Sequence, residues 1–183
     1  MPMTTAPPPF ATARLDALPL EPAYAEEMAG VLADPALYGF TGGEPPAPAA
    51  LRSRYERQCA GPPDGRELWW NWVLRVREGG DLAGYVQATV QGPRAEIAWV
   101  IGTPWQGRGY AREAAKGLAA HLASAGGVRE LVAHIHPGHA ASEAVAEAAG
   151  LRPTGEWEDG ERRWAARTPA PDLPRGPGVP DVL

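Results

Sequence analysis

With one cysteine, one lysine and no apolar run of membrane-spanning length, this 183-residue chain excludes several classes of protein before any motif is considered. Cys59 alone can form no intrachain disulfide, which points to a reducing, cytoplasmic setting. A membrane-crossing helix needs about 20 consecutive apolar residues, and no stretch approaches that length. The Met-Pro-Met start lacks the basic patch and apolar block of a secretory leader. Basic residues are outnumbered, 17 Lys and Arg against 22 Asp and Glu, for a formal charge of −5. That balance carries no electrostatic footprint for nucleic acid. Neither a membrane nor a nucleic acid is an expected partner.

What is present is enough apolar sequence, 44% of residues, for one domain with a real core. The 21 prolines and 22 glycines gather at the ends and in turns. Residues 1–10 and 168–183 lack the periodicity of a packed element and are expected to be flexible tails around a folded unit at 11–167. Within that unit a short strand is expected at 14–20, and helices at 21–33 and 47–60. Strands follow at 68–77, 82–91 and 95–101, with Glu78-Gly79-Gly80-Asp81 as a hairpin turn. A helix at 110–125 carries the stripe Ala111, Ala115, Leu118, Leu122 and Ala125, and Gly126-Gly127 stops it. A strand at 129–135, a helix at 140–149 and a last hairpin around Asp159-Gly160 complete the order. Hairpins followed by one strand–helix–strand crossover imply a mixed sheet with one parallel pair.

The crossover carries the chemistry. Between its strand and helix lies Gln106-Gly107-Arg108-Gly109-Tyr110-Ala111, a glycine-punctuated loop opening into a helix. Backbone N–H groups at a helix start have no intrahelical partner and sit at the positive end of its dipole, so such a loop can hold phosphate oxygens. Gly107 and Gly109 leave the backbone open to close approach. A competing pattern is His134, His136 and His139, since alternate strand residues share a face and histidine is a common ligand. His121 is expected on another helix and Cys59 lies far upstream, so no metal is expected. Trp69, Trp70 and Trp72 lie on a hairpin strand opposite Tyr85 and Gln87. They are expected chiefly to fill the core, with Trp70, Trp72, Tyr85 and Gln87 as candidates to line a substrate pocket able to receive an amine.

The loop matches the Gln/Arg-x-x-Gly-x-Gly/Ala pattern of the GNAT superfamily of acetyl-CoA-dependent N-acetyltransferases, and the chain resembles that superfamily over nearly the whole folded unit. AEIAWVI precedes the loop, a helix follows it, and LVAHIHPGHAASEAVAEAAGLRPTG resembles the family's fifth strand and next helix. The front, RLDALPLEPAYAEEMAGVLADPALYGF, is similar to the branch that acetylates N-termini of ribosomal proteins. The resemblance implies an α/β (α+β) fold: a mixed, mostly antiparallel sheet of about six to seven strands. Helices would cover both faces, and the parallel pair would lie at the coenzyme A cleft.

It also implies acetyl-CoA as cosubstrate. Gln106, Gly107, Arg108, Gly109, Tyr110, Ala111 and Arg112 would surround its pyrophosphate, and Trp99, Val100 and Ile101 would run beside its pantetheine arm. His139 and Ser142 would contact it too. Glu96 is the preferred base, acting directly or through water, and Ser142 the donor to the leaving thiolate, as the ribosomal branch has a serine there. Two positions depart from the family: His139 stands where Asn is common, and Ala146 where many members have a tyrosine acid. The favoured acceptor is a peptide or protein N-terminus. Its amine, with a pKa near ~8, needs less deprotonation than a lysine near ~10.4. A small-molecule amine (amino acid, polyamine or antibiotic) is the alternative acceptor, and a degenerate acyl-CoA-binding module is the non-enzyme alternative. The expected assembly is a monomer or homodimer.

Overall fold

The structure, a computed structural model, describes residues 6–125 and 127–168. Eight strands form one sheet: β1 Phe10–Ala11, β2 Leu15–Pro19, β3 Leu68–Val76, β4 Leu82–Gln91, β5 Arg94–Ile101, β6 Glu130–Ile135, β7 Arg152–Glu158 and β8 Glu161–Arg167. The helices are α1 Ala25–Val31, α2 Pro48–Ala60, α3 Tyr110–Ser124 and α4 Ala140–Ala148. The sheet order is β1-β2-β3-β4-β5-β6-β8-β7, and every pairing is antiparallel except β5 with β6. The mixed sheet, its parallel pair at the β5–α3–β6 crossover and its helices on both faces are as expected.

Eight strands replace the expected six to seven because Phe10–Ala11 adds a short edge to β2. The Trp72 indole N–H also donates to the Pro8 carbonyl at 2.9 Å. The rest of the expected tails, residues 1–5 and 169–183, lies outside the described residues. The helix expected at 21–33 divides into a 3-10 turn, Pro22–Tyr24, and α1. In the last hairpin Asp159 and Gly160 both take positive φ, +49° and +83°, as a two-residue turn between right-twisted strands requires. The hairpin docks through its second strand, so β8 lies between β6 and β7.

Alternation along the strands sorts side chains to two faces. Toward α3 and α4, Trp70, Trp72, Leu74, Val86, Val90 and Ile97 pack with Ala114, Leu118, Leu122 and Ala146 in one apolar cluster. Tyr110 and Ala114 join the buried stripe of α3, whereas Ala125, expected there, is an exposed C-cap. Toward α1 and α2, Val73 and Leu82 pack with Met28, Val31, Leu51 and Tyr55 in a smaller one.

The parallel pair is short. β5 and β6 bridge only at Arg94–Glu130, Ala95–Leu131 and Glu96–Val132, while β4 and β5 stay in register from Gly84–Ile101 to Gln91–Arg94. From Ile97 onward, β5 has β4 on one side and, among the described residues, no strand on the other. The sheet is open there.

Candidate active site

The open seam runs toward the glycine loop. After β5, a 3-10 turn at Thr103–Trp105 leads into the loop, where Gly107 and Gly109 hold φ of +74° and +81°. Only glycine adopts this left-handed backbone without strain, and nothing lies within 4 Å of a Cβ built on Gly107. The loop's outer surface is therefore bare backbone. In α3 the first helical bond is Glu113 N–H to the Gly109 carbonyl. The N–H groups of Tyr110, Ala111 and Arg112 precede it and have no intrahelical acceptor.

A carboxylate in that first turn would repel an anion, and Glu113 is one. Here it is turned back into the protein. Its oxygens accept from the Thr12 hydroxyl at 2.6 Å, the Arg14 backbone N–H at 2.7 Å and Arg14 Nε at 2.6 Å. Partial burial works against its charge, but these bonds outweigh burial and hold the carboxyl below the usual glutamate range. Arg14 also donates to the Arg108 carbonyl at 2.9 Å and lies 4.7 Å from the Tyr110 ring centroid. The turn between β1 and β2 thus clamps the loop from behind, leaving the Arg108 and Arg112 side chains exposed. Gln106 has a holding role as well, its side-chain amide donating to the Ile101 carbonyl at 2.9 Å. The residues present fit a pyrophosphate: open N–H groups, two exposed guanidinium groups and a neutralised carboxylate.

Beside the seam, Trp99 and Ile101 face the α3 cluster and Val100 faces α1 and α2. What this stretch offers a ligand is its free backbone edge. On the α1–α2 face, Glu96 pairs across β4 with Thr89, Ala98 with Gln87, and Val100 with Tyr85. The Glu96 carboxylate lies 2.9 Å from His134 Nδ1, and His134 Nε2 lies 3.2 Å from Glu158. The imidazole is nearly buried, whereas both carboxylates reach solvent. His134 and Glu158 were not expected in this role. The alternation that placed His134 among possible metal ligands instead aims it across the parallel pair at Glu96. Among the described residues, no group of three or more His, Cys, Asp or Glu is arranged to hold a metal ion.

Ser142 sits in the first turn of α4, and its hydroxyl has no hydrogen-bond partner among the described residues. His139 occupies the N-cap position without a side-chain capping bond. Its ring stacks on Phe40 at 4.2 Å between centroids, and Phe40 also meets His136 at 5.4 Å. Burial, reinforced by His136, lowers the His139 pKa and favours the neutral ring. Ala146 is fully buried in the α3–α4 cluster.

The four aromatic and amide candidates for the substrate pocket divide between the faces. Tyr85 and Gln87 line a cavity of about 110 Å³ under α2, together with Arg54, Tyr55, Gln58 and Asn71. Trp72 lines it as well, whereas Trp70 does not. Their rings stack edge-on at 6.1 Å within the α3-side core, where Trp72 also meets Phe10 and His121. The one-residue offset between Asn71 and its tryptophan neighbours decides this. Arg54 and Tyr55 had no sequence signal, since an arginine and a tyrosine on a weakly patterned helix look like ordinary surface and core.

A mixed sheet that opens beside its crossover, with a glycine loop and helix N-terminus at the opening, is the architecture of a coenzyme A-dependent acyltransferase. The family model described as "Acetyltransferase (GNAT) domain" matches residues 14–152. The chain belongs to the GNAT family and is an acetyl-CoA-dependent N-acetyltransferase. Solved structures share its fold. A GNAT-family acetyltransferase from Bacillus anthracis superposes with a TM-score of 0.73 at 19% identity, covering 87% of this chain and 98% of that one. RimL, a ribosomal alpha-N-protein acetyltransferase in complex with coenzyme A, gives 0.74 at 17% identity over 87% and 98%. Spermidine N-acetyltransferase from Vibrio cholerae, in complex with CoA and spermine, gives 0.69 at 16% identity over 85% and 96%. No curated protein sequence matches the chain.

Proposed function

We propose that this protein moves an acetyl group from acetyl-CoA to a primary amine by direct attack, in the cytoplasm, with a peptide or protein N-terminus as favoured acceptor. The observation that carries the reading is the left-handed Gly107–Gly109 loop at the start of α3, beside the seam where β5 loses its second neighbour. Backbone N–H groups from Gly107 to Ala111 hold the pyrophosphate, with Arg108 and Arg112 adding charge outside it. The free edge of β5 at Trp99, Val100 and Ile101 bonds the pantetheine arm as a neighbouring strand would. His139 and Ser142 flank it from the start of α4.

Acetyl-CoA supplies the activated acyl group. Glu96 takes the proton from the acceptor ammonium, freeing the nitrogen lone pair for attack. His134, held between Glu96 and Glu158, orients that carboxylate. The Ser142 hydroxyl passes a proton to the departing thiolate and regains one from the acceptor nitrogen, a role that Ala146 cannot fill. The test is thiol release from acetyl-CoA with a panel of N-terminal peptides, amino acids and polyamines. Release with peptides above the other amines supports the full reading. Acetyl-CoA binding without release for any amine supports a non-catalytic acyl-CoA-binding module. No binding at all overturns both.

A further inference from the structure

Among the residues that line the cavity under α2, Arg54 alone is charged. The polar lining residues are Arg54, Tyr55, Gln58, Asn71, Tyr85 and Gln87, and no carboxylate is among them. Arg54 stands at the mouth, exposed, with no hydrogen bond or salt bridge among the described residues. Deeper in, the Tyr55 side chain is buried and its hydroxyl has no hydrogen-bond partner among the described residues. Burial pushes the Tyr55 and Tyr85 phenols up, so both keep their protons and can donate. A guanidinium, two phenols and three amides therefore line one small space. An ammonium or polyamine finds no anionic partner there and meets the Arg54 charge at the entrance. An oxyanion finds donors on several sides.

The cavity lies on the same face of the sheet as Glu96. Gln87 lines it and pairs with Ala98, two residues from Glu96 and so about 7 Å along the strand. An acceptor with its amine at Glu96 extends toward Tyr85 and Arg54. A volume of about 110 Å³ admits a side chain or small acid rather than a large ligand.

We propose that the acceptor amine carries a carboxylate several bonds from its nitrogen, received by Arg54 and the phenols of Tyr55 and Tyr85. This rests on the transferase reading above and narrows its substrate class. Two sources share the chemistry: a free amino acid, or a peptide with an acidic residue near its N-terminus.

The test measures thiol release from acetyl-CoA by the full chain with matched acceptors. These are glutamate and 4-aminobutyrate, the peptide amides Ser-Glu-Glu-Ala and Ser-Lys-Lys-Ala, and spermidine. The acidic acceptors are expected to exceed the lysine peptide and spermidine in kcat/KM by about tenfold or more. Comparing glutamate and 4-aminobutyrate with the glutamate peptide identifies the source. Arg54→Gln should raise KM for the acidic acceptors about tenfold with the loss falling on KM rather than kcat, and Arg54→Glu should turn the preference toward the lysine peptide. Added salt should narrow the wild-type preference, as an exposed charge requires. Equal or better use of spermidine or the lysine peptide by the wild type overturns the proposal while leaving the transferase intact, as does an unchanged preference in both variants. Absence of thiol release with every amine tested overturns the transferase reading and this inference with it.

Discussion

On the α3–α4 side of the sheet, Trp70, Trp72 and Leu74 meet Leu118 and Leu122 in a closed apolar layer. On the α1–α2 side, the same strands present Asn71, Tyr85, Gln87 and Glu96 to a polar cavity and to His134. Neighbouring residues on one strand thus serve opposite ends, because a strand sends successive side chains to opposite faces. The closed face can bury large rings because nothing must enter it. The open face keeps polar groups that only a ligand, water or one another can satisfy, and it holds the smaller apolar cluster. Stability and chemistry are separated by the thickness of the sheet.

That separation can be broken experimentally. The largest expected effect is on the open face: Glu96→Gln should lower kcat by about 10²–10⁴-fold while the thermal midpoint and acetyl-CoA affinity hold. A loss below tenfold in steady-state kinetics would remove Glu96 as the base. On the closed face, Trp70→Ala should cost about 3–5 kcal/mol in a denaturant titration. The surviving folded fraction should bind acetyl-CoA as the wild type does. Altered affinity would show that the two faces are coupled.

Where the faces meet, Gly109→Asp adds a side chain at φ +81° and a negative charge at the loop. Calorimetry should find acetyl-CoA binding weakened roughly a hundredfold. Undiminished binding would move the cofactor elsewhere. The smallest effect is expected behind the loop, where Glu113→Gln should cost about 1–2 kcal/mol at neutral pH. The folded protein holds this carboxyl below its ordinary pKa. Its stabilisation is therefore complete above the ordinary value and lost as pH falls through the lowered one. Wild-type and Glu113→Gln stabilities should converge in acid, and a gap independent of pH would contradict the ion-pair role.

Legibility differed sharply between the loop and the acceptor side. The glycine loop could be read because left-handed turns, helix starts and phosphate cradles all demand local residue types in local order. Gly107, Gly109 and Tyr110 lie within four positions of one another. Trp70 and Trp72 could be assigned to a shared face but to neither side of the sheet in particular, since alternation does not say which helices cover which side. Arg54 reaches the cavity only through helix docking, and His134 and Glu158 meet their partners only through parallel pairing and insertion of β8.

By itself, then, the order of residues determined the elements that short-range rules govern: the hairpins, the crossover, the Asp159-Gly160 turn and the phosphate loop. These depend on backbone conformations accessible to a few residue types and on contacts between chain neighbours. The tertiary structure alone decided the seam after Glu96, the Arg14–Glu113 clamp that neutralises the helix start, and the donor-lined cavity under α2. Those bring together groups tens of residues apart, and their geometry follows from packing both faces of one sheet at once.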